Sequence, residues 1–163
     1  MARTDIGGYR YAMEMTTPND RFREARERLG LSLGEVSERS GVSLACLWDI
    51  ETMPDELASV YSPMEIQQLC EVIHIRPIDL FADEFSEPPI SAPELVELIK
   101  KECQSRHLNF EQFEDLIGWE FSSCLNTPEN LLKGFSVDGL QDLCRELRVD
   151  WRRMLLAPGK NEG

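Results

Sequence analysis

The sequence is poor in cationic side chains and in histidine. Its 163 residues include 17 Lys and Arg against 30 Asp and Glu, and only two histidines, so the formal net charge is −13. Residues 1–83 carry 8 basic and 15 acidic groups (−7), and residues 84–163 carry 9 and 15 (−6). Because affinity for DNA depends mainly on neutralising phosphates with Lys and Arg, this evenly acidic composition argues against an extended DNA-binding surface.

Signatures of metal binding, catalysis and membrane insertion are also missing. There is no HExxH motif, GxSxG motif or phosphate-binding loop. Neither a signal peptide nor an apolar run of transmembrane length occurs. Without a CxxC motif or a Cys/His cluster, zinc binding is not expected. The sequence therefore predicts a non-enzymatic cytoplasmic protein with no cofactor, no membrane association and five reduced, buried thiols: Cys46, Cys70, Cys103, Cys124 and Cys144.

What the sequence does contain is a series of short helical segments. Ser32 is followed three residues later by Glu35, the spacing of a capping box at a helix start. Ser43 offers a second N-cap, and Gly41 stands where the chain must turn between the two helices. Two helices joined by a tight glycine-containing turn form a helix-turn-helix. The apolar inner faces of these two helices and of a preceding one are Phe22, Ala25, Leu29, Val36, Val42, Leu47 and Ile50.

This layout resembles the Cro and phage-repressor family of helix-turn-helix proteins, also called the xenobiotic-response-element family. The resemblance covers about residues 20–83 and implies a five-helix domain whose third helix lies in the DNA major groove. Residues 62–70 and 75–81 look like the fourth and fifth helices of such a domain. The other matching residues are Arg23, Gly30, Leu31, Ser32, Glu35, Val36, Ser37, Gly41, Val42, Ser43, Leu47, Ile50 and Glu51.

The positions that would contact DNA depart from the family pattern. Family members place Gln where this chain has Leu33, and often Gln or Arg where it has Leu44. Residues 42–51 contain no Lys, Arg, Gln or Asn, the side chains that supply most phosphate and base contacts. If the chain does bind DNA, the resemblance implies contacts from Ser32, Leu33, Ser43, Leu44, Ala45, Trp48 and Asp49, with Arg23, Arg28 and Arg39 near phosphates.

Two further features of the first three helices bear on the partner. Should Leu47 and Ile50 face inward, Leu44 and Trp48 point outward, and an exposed apolar patch favours protein contact over DNA contact. The candidate basic face is interrupted by acidic residues at helical neighbour spacings, so we expect much of its charge to be paired locally. Its arginines are Arg21, Arg23, Arg26, Arg28 and Arg39, and the acidic neighbours are Glu24, Glu27 and Glu38.

The second half of the sequence repeats the first. Residues 61–75 align with residues 135–149 at an offset of 74, with Ser, Gln, Leu and Cys at matching places. Residues 36–42 align with residues 113–119 at an offset of 77, which keeps the turn glycine. Self-similarity of this kind predicts a second, degenerate helix-turn-helix unit. Its third helix is predicted at residues 120–125, opening with an acidic residue.

These observations predict an all-α fold of two tandem five-helix, lambda-repressor-like units. The expected boundaries are a flexible tail at 1–18, a helix-turn-helix domain at 19–85, a proline-containing linker at 86–91, a second domain at 92–158 and a tail at 159–163. Alternating apolar residues in the first tail, among them Tyr9 and Met13, leave three alternatives: a short strand, docking on the body, or a frayed arm.

Two functions remain open from the sequence. The first is a DNA-binding transcriptional regulator, as the resemblance implies. The second is an acidic protein-binding module, such as an immunity protein, antitoxin or anti-repressor, on a helix-turn-helix fold that no longer reads DNA. In that case the partner is a basic protein, or another copy of this chain in a homodimer. Fold alone does not decide between them.

Overall fold

The computed structural model describes residues 16–156, and this part of the chain is helical with no β-strand. The predicted tails at 1–18 and 159–163 lie almost entirely outside the described residues. The elements in chain order are α1 (Pro18–Arg28), α2 (Leu33–Ser40), α3 (Leu44–Thr52), α4 (Glu56–Val60), α5 (Pro63–Ile73), α6 (Pro77–Phe81), α7 (Ala92–Arg106), α8 (Phe110–Ile117), α9 (Ser122–Asn126), α10 (Asn130–Lys133), α11 (Val137–Leu147) and a 3₁₀-helix, η1 (Trp151–Leu156).

Local capping chemistry explains where most of the longer helices begin. A capping box satisfies orphan backbone N–H groups at a helix start, because the cap side chain and the third helical side chain each bond the other residue's backbone. The Ser32–Glu35 box expected from the sequence is present at α2, and Ser43 caps α3 through the Cys46 N–H. The other capping boxes begin α1 (Thr17 and Asp20), α5 (Ser62 and Glu65), α7 (Ser91 and Glu94) and α8 (Asn109 and Gln112).

Several helices end on a residue with left-handed backbone geometry. Gly41, which follows α2, has φ 76°, as the turn expected from the sequence requires. Both histidines occupy the same kind of position: His74 follows α5 with φ 57°, and His107 follows α7 with φ 56°.

The order of elements in the second half parallels the order in the first. α4, α5 and α6 begin at residues 56, 63 and 77, and α10, α11 and η1 begin 74 residues later, at 130, 137 and 151. α2 and α8 begin 77 residues apart, at 33 and 110. Each half contains six elements rather than five, since the short helices α4 and α10 were not predicted. α9 begins at Ser122, two residues later than predicted, so the acidic Glu120 precedes it.

Each half has a hydrophobic core, and the second half also contributes to the first core. Val137 of α11 is fully buried among residues of the first half, and Trp151 of η1 packs against the same cluster. α11 contacts α4, α10 contacts α5, and η1 contacts α6. The Val137 N–H donates to the Tyr61 carbonyl at 3.0 Å, and the rings of Phe81 and Trp151 meet edge to face with centroids 5.1 Å apart.

The segment between the two halves is held by arginines of η1. Arg153 donates through Nε to the Pro88 carbonyl at 2.7 Å, and its own carbonyl accepts from the Ile90 N–H at 3.2 Å. Ile90 is buried, and the Arg152 guanidinium lies over the Phe85 ring at 4.9 Å from its centroid. The predicted linker at 86–91 is therefore packed against the second half.

The environment of the cysteines corrects one prediction. All five are free thiols, and four are buried, but Cys46 is exposed. It lies in the first turn of α3. Burial raises the pKa of Cys144 to about 12 and raises that of Cys70 as well, which suits inert core thiols.

No described helix is long and apolar enough to cross a membrane.

Candidate interaction surface on α2 and α3

The turn between α2 and α3 is fixed by side-chain hydrogen bonds as well as by Gly41. The Ser37 hydroxyl donates to the Val42 carbonyl at 2.6 Å, and the Val42 N–H donates to the Ser40 hydroxyl at 3.1 Å. Val36 of α2 and Leu47 of α3 are fully buried in one cluster below the turn. The two helices and the tight turn expected from the caps and the glycine are therefore present, and hydrogen bonds within the segment hold the turn.

An ion pair ties α3 to α1. Arg26 of α1 donates through Nε and Nη2 to the two carboxylate oxygens of Glu51 at 2.5 and 3.0 Å, and through Nη1 to the Leu31 carbonyl at 2.8 Å. The two side chains are only 13% and 9% exposed. The hydrogen bonds that Arg26 donates to the Glu51 carboxylate raise the pKa of Arg26. Arg26 and Glu51 thus neutralise each other, and their hydrogen bonds fix the orientation of α3 relative to α1.

The outward face of α3 is apolar and weakly acidic. Leu44 is 54% exposed and Trp48 is 61% exposed, whereas Leu47 and Ile50 are completely buried. This confirms the orientation that the helical spacing predicted. The predicted contact residue Ala45 is exposed beside them, and Asp49 is half-buried. We call Leu44 and Trp48, which are four residues apart and therefore neighbours on the helix surface, the α3 patch.

Most arginines of the candidate basic face are paired with carboxylates. Arg21 bonds Asp83 at 2.7 Å, Arg23 bonds Asp20 at 2.6 Å, and Arg26 is held by Glu51. These partners differ from the ones that the sequence predicted, because among Glu24, Glu27 and Glu38 only Glu27 forms an ion pair within residues 16–156, with Arg26 at 3.4 Å. Arg28 and Arg39 are exposed and form no ion pair among the described side chains.

A carboxylate already caps the start of α2, where the resemblance implies DNA contacts from Ser32 and Leu33. Glu35 Oε2 accepts from the backbone N–H of Ser32 at 2.8 Å and from its hydroxyl at 2.9 Å. These bonds hold the pKa of Glu35 below its ordinary value, so the group is ionised at neutral pH. Leu33, the other predicted contact at this end, is half-buried against the core. Ser43 is exposed at the start of α3.

The second half shows the same arrangement in a different form. Glu114 of α8 accepts through Oε1 from the backbone N–H groups of Phe121 and Ser122, both at 2.7 Å, and from the Ser122 hydroxyl at 2.8 Å. Burial acts to raise the pKa of Glu114, but these hydrogen bonds outweigh it and leave the pKa lowered. An internal carboxylate therefore caps the start of α9, and a second anion there would be repelled.

Carboxylates dominate the sequence around the α3 patch. Residues 40–75 contain six acidic residues and no Lys or Arg. Glu51 is neutralised by Arg26, and Glu65 belongs to the cap of α5. The other four, which form no ion pair within the described part of the chain, are Asp49, Asp55, Glu56 and Glu71.

Comparison with known proteins supports the helix-turn-helix interpretation at a coarse level. A protein of Archaeoglobus fulgidus, provisionally named an HTH-type transcriptional regulatory protein, is 36% identical to this chain over 91 residues. The match covers 56% of this chain but 27% of the relative, so the chain spans about a quarter of the relative's length. No protein-family model matches the chain, and no solved structure matches it significantly. The likeness, which extends over 56% of this chain, supports the helix-turn-helix interpretation of the fold.

The structure brings only some of the candidate contact residues together. Ser43, Leu44, Ala45, Trp48 and Asp49 share α3 or its cap, while Ser32 and Leu33 start α2. Sequence reasoning missed the buried Arg26–Glu51 pair and the Glu114 cap. At the offset of 77, Glu114 aligns with Ser37. This change from a hydroxyl to a carboxylate was the signal in the sequence that could have indicated the Glu114 cap.

Among the described residues, no group of three or more His, Cys, Asp or Glu is placed to hold a metal ion.

Proposed function

We propose that this chain is a non-enzymatic helix-turn-helix regulator in transcriptional control that acts by contacting another protein through the α3 patch. The main observation in support is that Leu44 and Trp48 are exposed to solvent on a helix that has no basic or amide side chain. Tryptophan is a frequent energetic anchor of protein interfaces, whereas DNA recognition requires phosphate and base contacts that α3 does not offer.

We also propose that the two halves are related helix-turn-helix units of the Cro and phage-repressor type, with boundaries near 19–85 and 92–158. The repeated element order supports this, and so do the contacts between the halves. At the offset of 74, α4 corresponds to α10, α5 to α11 and α6 to η1, and the observed contacts are α4 with α11, α5 with α10 and α6 with η1. Reciprocal pairing of this kind is the pattern of a two-fold interface.

Sequence-specific DNA binding is the second candidate function. The name of the Archaeoglobus fulgidus relative favours it, as do the exposed Arg28 and Arg39 and the exposed hydroxyl of Ser43. In this alternative these three residues contact phosphates, and Ala45 and Asp49 face the bases. The carboxylates at the starts of α2 and α9 and the net charge of −13 weigh against it.

The test compares transcript profiles of the native host after single chromosomal substitutions. Trp48→Ala should alter the profile in the same direction as deletion of the gene, because it removes the protein anchor. The matched control is Leu116→Ala, which removes a similarly exposed apolar side chain (52% exposed) from α8 and should leave the profile unchanged. A folded Trp48→Ala protein that preserves the wild-type profile would refute the proposal. If Arg28→Ala and Arg39→Ala alone disturb the profile, DNA binding is favoured.

A further inference from the structure

Acidic side chains outnumber basic ones on the helices that contain and contact the α3 patch. Asp49 immediately follows Trp48 on α3, and Asp55 and Glu56 stand at the start of α4, which packs against α3. None of these three carboxylates forms an ion pair within residues 16–156. The patch is therefore an apolar centre on a helix whose Asp49, together with Asp55 and Glu56 of the neighbouring α4, is unpaired within the described residues. The comparable cations in that range, on helices contacting α3, are Arg28 of α1 and Arg39 of α2.

This combination restricts the chemistry of what can cover the patch. DNA and anionic membrane surfaces carry negative charge and would be repelled by the flanking carboxylates. An acidic protein would be repelled for the same reason. A partner with apolar residues at its centre and Lys or Arg at its edge gains from both features, since interfaces combine an apolar core with complementary charge at the rim.

The shape of the patch favours a helical partner. Leu44 and Trp48 form a short ridge along the helix, and such ridges pack into the grooves between side-chain rows of another helix. Resting on the proposed function, in which α3 contacts protein, we propose that the partner presents a basic amphipathic helix whose apolar stripe covers Leu44 and Trp48 and whose Lys or Arg side chains pair with Asp49, Asp55 and Glu56.

The proposal can be tested with synthetic peptides in place of the unidentified partner. The probe is a fluorescein-labelled amphipathic peptide of about 18 residues, with Leu at i, i+3, i+4 and i+7 spacing and Lys elsewhere. A matched peptide carries Glu in place of Lys, and a third has the Leu/Lys composition in scrambled order. Fluorescence anisotropy with the full chain measures affinity. The Leu/Lys peptide should bind, and the Leu/Glu and scrambled peptides should bind at least about tenfold more weakly.

Variants of the chain separate the patch from general charge attraction. Trp48→Ala should weaken binding of the Leu/Lys peptide about tenfold or more, and the triple variant Asp49→Asn, Asp55→Asn, Glu56→Gln should do the same. The control for the first is Leu116→Ala. The control for the second is the equal charge change Glu111→Gln, Asp115→Asn, Glu120→Gln around α8, and both controls should change the affinity less than about twofold. Circular dichroism and a thermal melt confirm that each variant is folded.

The outcomes distinguish this inference from the proposed function. Equal losses in the α3 and α8 variants, or equal binding of the Leu/Glu peptide, would overturn the basic-helix partner. If Trp48→Ala nevertheless alters the transcript profile in cells, protein contact through α3 stands and only the chemistry of the partner is wrong. If the folded Trp48→Ala protein leaves transcripts unchanged, the proposed function itself fails, whatever the peptides show.

Discussion

At the scale of single residues, two glutamates act on helix starts within the helix-turn-helix segments. Glu35 bonds back to Ser32 at the start of α2, and Glu114 bonds forward to Phe121 and Ser122 at the start of α9. A helix start attracts anions because its N–H groups are unsatisfied and its dipole end is positive. In this chain each carboxylate takes part of that attraction, which stabilises the fold and opposes a phosphate at the same helix start.

Glu114→Gln should destabilise the protein in a pH-dependent way. The folded-state pKa of Glu114 is lowered, so the carboxylate contributes stability that is present above the unfolded pKa, about 4.3 for Glu, and is lost as pH falls through the folded value. Loss of the charge-assisted hydrogen bonds should cost about 1–3 kcal/mol at neutral pH. Urea unfolding of wild type and variant at neutral pH and below the ordinary Glu pKa measures this. A difference that persists unchanged in acid would contradict the account.

Arg26→Ala should cost far more stability than Arg23→Ala. Removing Arg26 leaves the Glu51 carboxylate 9% exposed and without its partner, and breaking a buried pair in this way costs about 3–5 kcal/mol. Arg23 pairs with Asp20 at the surface, where the side chains are 42% and 35% exposed, so its loss should cost less than about 1 kcal/mol. Equal destabilisation of the two variants in urea unfolding would show that the Arg26–Glu51 pair does not fix α3.

At the scale of elements, the turn between α2 and α3 depends on one backbone conformation. Gly41 has φ 76°, so Gly41→Ala should destabilise by about 1–2 kcal/mol even though an added Cβ meets nothing within 4 Å. Gly34 lies inside α2, where an added Cβ would make ordinary contact with Ser32 Oγ at 3.7 Å. Gly34→Ala should therefore stabilise by about 0.5–1 kcal/mol. Thermal melts of the two variants shifting in the same direction would contradict this assignment.

The same elements show how far the sequence could predict the fold. α2 and α3 were predictable because Ser32, Glu35, Gly41 and Ser43 encode their boundaries locally. α4 and α10 have five and four residues, too few for helical periodicity, and no side chain caps them. Only tertiary contacts could reveal them. The start of α9 was misplaced because its cap comes from Glu114, eight residues upstream of Ser122.

The candidate site likewise has features that the sequence could predict and features that only the structure shows. Exposure of Leu44 and Trp48 followed from the helical position of Leu47 and Ile50, because one buried stripe determines the opposite face. The partners of the arginines did not follow from spacing. Arg26 reaches Glu51, 25 residues away, and Arg21 reaches Asp83, 62 residues away, so only the packing of α1 on α3 and α6 determines them.

At the scale of the whole molecule, the two halves stabilise each other. Val137 of α11 is fully buried in the core of the first half, so Val137→Ala should destabilise by about 2 kcal/mol, near 0.8 kcal/mol for each buried methyl group plus a cavity term. Val60→Ala is the control, because that side chain is 57% exposed and its loss should cost under about 0.5 kcal/mol. Both variants should unfold in one transition by circular dichroism. A separate transition for each half would contradict mutual stabilisation.

The central claim concerns the whole molecule: its acidic surface and its α3 patch suit a protein partner and not DNA. The most direct measurement is a fluorescence polarisation titration in which the full chain is added to a labelled DNA duplex from the region upstream of its own gene. The salt concentration is about 50 mM, because electrostatic binding is stronger at low salt. The account predicts no binding at about 10 μM protein, because few cations are free to neutralise phosphates. Saturable binding that is sequence-specific, falls steeply with salt and is weakened by Arg28→Ala or Arg39→Ala would contradict it.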